Sequence, residues 1–428
     1  MVRRVRHCQT KEAETDGAYL QPRHQCPTLL YSYIATRNTG ELPQRGHNKQ
    51  KRNDLKQISL ALLATADGHV PLLHELYPGN VPDPKEFAAI TTRLAQRCRA
   101  LAGTSASEVT LVFDKGNNSQ ENLARLAREG LHFVGSLVPR QHKNILAVPL
   151  TAYREVNPQR WPGLLGYRVM QTVYQAERVV LATFNPALFE GQMQGFRRQR
   201  AKIEEALEEI QAKLERWSGP VPPRGRKPTV ESTRRLISRI LRGREPAPYL
   251  CYTPEADSAG AIHLHWHWDN AAMQQMIDRH YGKTLLFSDH LEWTDEQMVA
   301  AYRSQAKIED AFKQMKDTHF VNWRPLFHRR DHMIRVHAAY CVFALLLASL
   351  LQREVHRAGM ISGFTTVMET LAGIRAVVDL PHDDHHRRSV PVSIRLTRRS
   401  PDQERLFQLL GLTRFHPEVP ASKTGTTN

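Results

Sequence analysis

The sequence predicts a mixed α/β protein, and three observations support this fold class. Three strand-like segments follow one another at residues 28–36, 55–65 and 70–77. Helix-like and strand-like segments then alternate through residues 84–138. A chain of 428 residues with 41% hydrophobic residues is long and apolar enough to bury a sizeable core in two or three domains. Together these features predict a mixed sheet covered by helices.

Local signals define the elements of this first region. The segment 28–36 is rich in β-branched and aromatic residues, which favour strands. Asp67-Gly68 separates the second and third strands and is a hairpin signal. Ser119 and Gly130 are a predicted cap and a predicted stop for one helix. The remaining predicted elements are a helix at residues 84–101, a strand at 108–114, a helix at 119–129 and a strand at 132–138. This order of elements is that of an RNase H-like core.

The middle of the chain, residues 146–285, interrupts the alternation and is predicted to be a β-rich insertion subdomain. Residues 164–184 resemble a pair of strands, and residues 194–217 form a long predicted helix. The apolar residues of that helix repeat along one stripe: Phe196, Ile203, Leu207, Ile210, Leu214 and Trp217. The stripe is shorter than four heptads, which favours packing within the chain over a dimer seam. A basic helix at residues 231–244 is either a solvated surface or a DNA-facing one.

The rest of the chain completes the predicted division into domains. The longest apolar run, residues 338–351, is short for a membrane span and is typical of a buried helix, predicted here over residues 331–357. The predicted parts are an irregular segment at residues 1–27, a first core part at 28–145, the insertion at 146–285, a second core part at 286–357, and a basic C-terminal region at 358–428 that is disordered at its end.

Charge and cysteine content indicate the partner and the compartment. The net charge of +16 favours a polyanionic partner, most simply nucleic acid, although a basic enzyme with another substrate is an alternative. The five cysteines are scattered and match neither a zinc-binding spacing nor a disulfide framework. We therefore expect a protein of a reducing cytoplasm without a membrane partner.

Residues 301–316 combine an amphipathic helical pattern with polar residues that suit a metal site. Thr294 and Gln297 form a predicted capping box before them. The polar residues that fall within one narrow arc of such a helix are Tyr302, Gln305, Glu309 and Lys316, and the apolar residues of the adjoining arc are Ala301, Ile308, Phe312 and Met315. Such a face can bind a metal ion and a phosphate together. The alternative is an ordinary helix with a solvated charged face.

The spacing Tyr-x2-Gln-x3-Glu-x6-Lys in this segment resembles the Tyr-x2-Arg-x3-Glu-x6-Lys signature of bacterial insertion-sequence transposases of the DDE class, in the insertion-sequence-four group. Gln305 stands at the Arg position, where it supplies a hydrogen bond but no charge, and Arg303 lies nearby. Further segments that resemble the family are residues 33–36, 46–57, 76–83, 109–123 and 324–337. The resemblance covers about three quarters of the chain.

The resemblance implies three carboxylates that hold two Mg²⁺ ions, or Mn²⁺ as a substitute, for phosphodiester cleavage and strand transfer. Asp114 and Glu309 occupy the positions of the second and third acids. The residues implied to position phosphate are Tyr302, Gln305, Arg303 and Lys316. The long separation between the two acids agrees with the inserted subdomain of this branch. The implied partners are double-stranded DNA, as element ends and as target, and a second copy of the chain in a synaptic complex at the bacterial nucleoid.

The first acid of the set is absent from its expected position. The match of residues 33–36 to the family places this acid at Cys26, and Asp67 is a poor substitute because it lies in a hairpin turn. We expect residues 1–27 to derive from a frameshift or a truncation. Three hypotheses follow: a transposase-type enzyme, a non-catalytic DNA-binding or dominant-negative remnant of one, or a nuclease on the same fold.

Other candidate DNA contacts lie outside the signature. Lys49, Lys51 and Arg52 form part of a basic loop that can contact phosphates. In related transposases an aromatic residue of the insertion stacks on a flipped base, and the candidates here are Trp266 and Trp268. The alternating histidines of the same strand, His263, His265 and His267, share one face. That face is either a zinc site or, more simply, a solvent-facing strand surface.

Overall fold

The computed structural model describes residues 28–46, 54–102, 109–221, 223–317, 321–323, 328–379 and 393–415. The strands are β1 (Thr28–Thr36), β2 (Lys56–Ala64), β3 (Pro71–Pro78), β4 (Thr110–Val112), β5 (His132–Ser136), β6 (Arg154–Glu155), β7 (Leu165–Val173), β8 (Ala176–Phe184), β9 (Leu250–Ala256), β10 (Ile262–Trp268), β11 (Lys283–Ser288), β12 (Ala376–Asp379) and β13 (Ser393–Leu396). The helices are α1 (Asp83–Ala102), α2 (Gln120–Arg128), α3 (Lys143–Leu146), α4 (Pro186–Ser218), α5 (Val230–Leu241), α6 (Asn270–His280), α7 (Asp295–Arg303), α8 (Gln305–Lys316), α9 (Asp331–Arg357), α10 (Phe364–Ala372) and α11 (Pro401–Leu409). The elements predicted over residues 28–138 are confirmed to within two residues at each end.

A mixed sheet of nine strands organises the protein, in the order β3-β2-β1-β4-β5-β11-β8-β7-β6. β1, β2 and β3 form the predicted antiparallel meander. β4 then pairs in parallel with β1 and with β5. The first five strands have the order of an RNase H-like core, which confirms the predicted fold class.

The predicted insertion extends this sheet instead of forming a separate β-unit. β8 pairs with β11, which in turn pairs with β5, and β7 and β6 continue the sheet beyond them. Residues 179–182 of β8 are buried on both faces, and a strand of that kind is stable only inside a sheet. Among the described residues of the insertion, only β9 and β10 form a separate hairpin, which packs against α4, α5 and α6.

Helices cover both faces of the main sheet. Leu111 and Phe113 point to the face under α1 and α2. Val112 points to the opposite face, where α7 packs on β4, β5 and β11. α8 and α9 continue this second layer over β1, β2 and β3 through Phe312 and Met315. Successive side chains of each strand point to opposite faces of the sheet. One face therefore forms the core beneath α1 and α2, and the other packs against the helices that carry the signature residues.

The long helix packs within its own chain, as predicted. The buried residues of its stripe are Phe196, Ile203, Leu207, Ile210 and Leu214. They contact Ile237 of α5 and Leu264 of β10, so this face is filled by the insertion itself. The helix begins at Pro186, eight residues before the predicted start. Asn185 caps it and proline occupies the first turn, a pair of start signals that the stripe alone does not reveal.

The predicted signature helix is interrupted, and the structure divides it into α7 and α8. The capping box of Thr294 and Gln297 is confirmed at the start of α7. At Ser304 the backbone N–H bonds to the carbonyls of both Ala300 and Ala301 at 3.2 Å, which tightens the last turn of α7. The prediction of one continuous helix was therefore wrong at this residue.

The C-terminal region contains elements that the sequence analysis did not assign. α10, α11 and the hairpin of β12 and β13 lie in residues 358–428, which were predicted only as a basic region with a disordered end. A small cluster of Val355, Val367 and Leu406 joins α9, α10 and α11. Such short elements gain their stability from packing, because isolated helices of this length are marginal in water.

α9 has the predicted bounds of residues 331–357. Among the described residues it is the one helix long and apolar enough to cross a membrane by length and composition. One side of α9 is buried against the sheet through Ile334, Ala338 and Leu345. The buried helix predicted from the apolar run is thus present, with part of its surface exposed.

Candidate active site

Asp114 lies where β4 ends, beside the end of β5. The Phe113 amide still bonds to the Val134 carbonyl, at 3.2 Å, and the chain then turns away from the sheet. Asp114 Oδ1 caps that turn by accepting from the Lys115 amide at 2.7 Å and lies 3.3 Å from the donating Ser136 hydroxyl. The carboxylate is exposed, and no described residue bonds its Oδ2. Binding sites of open α/β sheets form at this carboxyl edge, so Asp114 lies where a site can form.

Tyr302 joins the signature to this edge. Its side chain packs against the cluster that contains Val112 and Val134, and its hydroxyl interacts with the Ser136 side chain. Burial raises the pKa of Tyr302, and the charge of Asp114 raises it further. The phenol therefore keeps its proton at neutral pH and provides a hydrogen-bond donor beside Asp114. The structure thus brings together two residues that are far apart in the sequence.

The start of β1 reaches the same place. Thr28 pairs with Val112, and its hydroxyl lies 3.0 Å from the Ser304 hydroxyl between α7 and α8. Cys26, the position expected for the first acid, lies outside the described residues. Asp67 occupies the turn between β2 and β3, and its Oδ2 accepts from Arg357 at 2.9 Å. That ion pair with α9 gives Asp67 a structural role.

Glu309 and Gln305 follow on α8. Glu309 is exposed, one helical turn beyond Gln305. The Gln305 Nε2 atom is buried and has no hydrogen-bond partner among the described residues. Glu309 lies on α8 and Tyr302 on α7, on either side of the division at Ser304. A metal site shared by Asp114 and Glu309 remains a prediction.

Lys316 and Arg303 have different surroundings. The Lys316 ammonium donates to the Ser32 hydroxyl of β1 at 2.5 Å and lies 5.7 Å from the ring centroid of Tyr33. Arg303 lies over Trp161, with its guanidinium carbon 5.1 Å from the ring centroid. Burial lowers the pKa of Arg303, and the neighbouring Arg160 adds to this shift. The described contacts of Arg303 therefore lie on the side of α7 that faces Trp161. Lys316 instead reaches β1, the neighbour of β4 in the sheet.

The other candidate DNA contacts differ in whether the structure describes them and in how far they are buried. Lys49, Lys51 and Arg52 lie outside the described residues. Trp268 is buried, with its indole N–H bonded to Glu204 Oε1 at 2.7 Å and Arg200 over its ring at 5.2 Å. Trp266 is only partly buried. Of the two tryptophans, Trp266 is thus the better candidate for contact with a base.

The histidines of β10 are exposed on one face, which is the arrangement predicted for a solvent-facing strand. His263 bonds to Asp257 Oδ2 at 2.9 Å. Among the described residues, these three histidines form no group with metal-binding distances. The solvent-facing alternative therefore fits the structure better than the zinc alternative.

A second polar cluster, which sequence reasoning missed, lies at the opposite ends of β4 and β5. His132 Nδ1 is 3.0 Å from Asp289 Oδ2, and His290 Nε2 is 2.7 Å from the Thr110 hydroxyl. Thr110 precedes Asp114 by four residues, about 13 Å along a strand. Burial lowers the pKa of His290, and the neighbouring His132 lowers it further. No local signal reveals this cluster, because its members come together only when β11 pairs with β5.

An RNase H-like sheet with Asp114 at its carboxyl edge and the signature helices packed beside it is the arrangement of the DDE class. The family described as Transposase DDE domain matches residues 32–347. The chain belongs to this family. The match covers both core parts and the insertion between them, and it confirms the class that the signature predicted.

The chain was also compared with curated proteins and with solved structures. No curated protein matches the chain. The solved structures that resemble it include the piggyBac transposase synaptic complex with hairpin DNA, with a TM-score of 0.39 and 11% sequence identity. That similarity covers 81% of this chain and 51% of the other, so the chain spans about half the length of that relative.

Proposed function

We propose that this protein binds the ends of an insertion sequence of the insertion-sequence-four group and catalyses metal-dependent phosphodiester cleavage and strand transfer. The observation that carries the proposal is the contact between the signature and the sheet edge, where Tyr302 and Asp114 flank Ser136. Only a fold that closes α7 onto β4 and β5 brings these residues together. Membership of the DDE transposase family supports the same activity.

Asp114 and Glu309 fit a site for Mg²⁺ or Mn²⁺. Both carboxylates are exposed, and carboxylate oxygens are the protein ligands that Mg²⁺ prefers. When bound, a pair of such ions activates a water or a 3′-hydroxyl and stabilises the leaving oxygen. The Ser136 hydroxyl and the Lys115 amide hold Asp114 Oδ1 and leave Oδ2 for a ligand. Asp114 is thereby oriented before any ligand arrives.

The neighbouring side chains suit a phosphate. Tyr302 offers a neutral donor beside Asp114. The Gln305 Nε2 atom has no hydrogen-bond partner among the described residues, and if the side chain turns outward it can donate to a phosphate oxygen in place of the usual arginine contact. Lys316 supplies a positive charge at β1. Together they would position a DNA backbone beside the carboxylates.

The partner is double-stranded DNA, and the proposed location is the nucleoid in the bacterial cytoplasm. The net charge of +16 supports this, because a basic surface gains affinity for DNA by releasing counterions. α5 adds Arg234, Arg235 and Arg239 at positions largely exposed to solvent. We expect binding that weakens steeply as salt rises.

A second copy of the chain is the proposed protein partner, through an exposed apolar stripe on α9. Its residues are Met333, Val336, Tyr340, Phe343 and Leu347, which repeat with the three-and-four spacing of a coiled-coil seam. Tyr340 is 71% exposed. Arg329 and Arg330 flank the start of the stripe, and Glu354 follows seven residues after Leu347. An antiparallel pair of α9 helices would bring Glu354 toward these arginines, where they would compete with its present ion pairs to Arg353 and Arg357.

The stripe offers on the order of 500 Å² per copy, less than the roughly 800 Å² of a standard interface. We therefore expect a weak dimer that bound DNA strengthens. Sedimentation should show self-association at micromolar concentration, which Tyr340→Glu and Leu347→Glu abolish. Ile361→Glu, an equally disruptive change at an exposed residue outside the stripe, should have no effect. A wild-type chain that stays monomeric with and without DNA contradicts the dimer.

The alternative of a non-catalytic DNA-binding remnant rests on one observation, the Cys26 at the position expected for the first acid. A titration of labelled DNA and protein with Mg²⁺ and Mn²⁺ distinguishes the transposase from this remnant and from a nuclease. Cleavage that depends on the divalent ion supports the enzyme. Salt-sensitive binding without cleavage supports the remnant, and cleavage without joining of a 3′-hydroxyl to target DNA supports a nuclease.

Asp114→Asn tests the assignment of the active site. The amide keeps the size of the side chain but removes the charge that a metal ion requires, so cleavage should fall by roughly 10³-fold or more. Glu255→Gln is the matched control, since Glu255 is an exposed carboxylate on β9, outside the site. If Asp114→Asn cuts DNA as the wild type does, Asp114 is not a catalytic residue.

A further inference from the structure

We infer a second metal site at the amino ends of β4 and β5, in which His132, Asp289 and His290 bind a divalent transition metal such as Zn²⁺. Each residue offers one ligand atom, and these atoms all lie within 4.8 Å of one another. Among the described residues no other group of His, Cys, Asp or Glu meets this condition. The site is separate from Asp114 and Glu309 and does not depend on the proposed enzymatic function.

Hydrogen bonds outside the ligand set already orient two of the ligands. The Phe133 amide donates to Asp289 Oδ1 at 2.9 Å, which leaves Oδ2 facing His132. The Thr110 hydroxyl lies 2.7 Å from His290 Nε2. If Nε2 carries the proton and donates to Thr110, the lone pair of His290 Nδ1 can bind a metal. Metal-binding histidines and carboxylates in proteins are usually held in this way.

Glu292 is an exposed neighbour that can join the three ligands as a fourth donor if its side chain moves toward them. Its Oε1 lies 3.2 Å from His290 Nδ1, although it does not lie within 4.8 Å of every other ligand atom. Ligands about 2.0–2.1 Å from a tetrahedral Zn²⁺ lie about 3.3 Å from each other. The pairs at 3.0 and 3.2 Å would separate slightly, and the ligand atoms that lie up to 4.8 Å apart would need to draw together around the ion.

The chemistry of the ligands selects the metal. Two imidazoles and two carboxylates suit Zn²⁺, Co²⁺ or Ni²⁺, whereas Mg²⁺ prefers oxygen ligands throughout. The rings of His132 and His290 are stacked, with centroids 4.3 Å apart and 28° between their planes, so one ring would have to tilt for both lone pairs to point at one ion. A zinc-class ion should thus bind here, and Mg²⁺ should not displace it.

The position of the site gives it a structural consequence. His290 stacks on Trp293 at 4.0 Å, and Trp293 is buried beneath α7 next to the capping box at Thr294. A metal ion at His132 and Asp289 would tie the start of β5 to the segment that leads into α7. Because α7 carries Tyr302, metal binding would stabilise the helix that completes the carboxyl edge.

The test uses the full-length chain after treatment with a chelator. Co²⁺ is added first, because a tetrahedral site with nitrogen ligands gives Co²⁺ intense visible absorption, and Zn²⁺ binding is then measured by calorimetry. We expect one ion per chain and a higher melting temperature with Zn²⁺. His132→Ala should abolish binding, and Glu292→Gln, at an exposed residue that the fold does not need, should weaken it.

Two kinds of variant distinguish a metal site from a cluster held by hydrogen bonds alone. Thr110→Val removes only the outer hydrogen bond to His290 and should weaken affinity about 10- to 100-fold. His265→Ala, at an exposed histidine of β10, should bind Zn²⁺ as the wild type does. The proposal is overturned if wild type shows no tetrahedral Co²⁺ spectrum, if His132→Ala binds normally, or if binding is lost in His265→Ala. In each of those cases the cluster is a hydrogen-bonded histidine–aspartate pair.

Discussion

The two ends of β4 and β5 carry polar clusters of opposite character. At the carboxyl end, Asp114 is exposed, and no described residue bonds its Oδ2. At the amino end, His290 is buried between the rings of His132 and Trp293 and has polar partners at both ring nitrogens. The first end is open toward a ligand, and the second is closed by its own side chains.

This difference follows from what covers each end. Beyond β4 the chain leaves the sheet through a short turn, so the Asp114 carboxylate stays exposed among the described residues. At the amino end, the segment after β11 folds back over the strands before α7 begins. A large substrate such as DNA requires an open site like the carboxyl end, whereas a small ion can be enclosed at the amino end.

The largest expected effect comes from breaking the core that both ends share. Phe133 is buried in β5 and contacts the rings of Phe113 and Phe287 at 5.8 and 5.0 Å between centroids. Phe133→Ala should lower the free energy of unfolding by about 3–5 kcal/mol, because it leaves a large cavity. Chemical denaturation measures this, and DNA cleavage and Zn²⁺ binding should both be lost as the protein unfolds. A loss of only one would show that the two ends are more independent than the structure indicates.

A smaller change separates the two ends. Tyr302→Phe removes the hydroxyl that bonds to Ser136 and keeps the ring in the core. We expect DNA cleavage to fall about 10²- to 10³-fold, as when one hydrogen-bond donor to a charged transition state is removed. Zn²⁺ affinity should stay within about twofold of wild type. Tyr153→Phe, which removes a buried hydroxyl on the other face of the sheet, is the control and should cleave normally.

The smallest effect concerns the helix that connects the ends. Thr294→Ala removes the hydroxyl that caps α7 by accepting from the Gln297 amide at 3.2 Å. The free energy of unfolding should fall by about 1 kcal/mol. Thermal unfolding with and without Zn²⁺ measures this, and added Zn²⁺ should recover part of the loss, because both interactions hold the start of α7. If Ser400→Ala, which removes the equivalent cap of α11, is recovered by Zn²⁺ to the same extent, the link to α7 is wrong.

Local signals predicted much of the core and part of the site. The Asp-Gly turn, the Ser119 cap and the Thr294 capping box each lie within a few residues of the element they define, so each was found from the sequence. Asp114 and Tyr302 were predicted through the resemblance to the family, Asp114 from residues 109–123 and Tyr302 from the signature, and their roles remain predictions. The break at Ser304 was missed because a period of 3.6 residues continues across it.

The sequence by itself determined the mixed α/β class, the bounds of the first strands and helices, and the DDE family, because these depend on neighbouring residues or on a characteristic spacing of residue types within one segment. Only the tertiary structure decided that β7 and β8 join the main sheet and that Trp268 is a core residue. It also decided that His132 meets Asp289, 157 residues away. Such contacts depend on strand pairing and burial between distant segments, and the free energy of that pairing is not encoded in any local pattern.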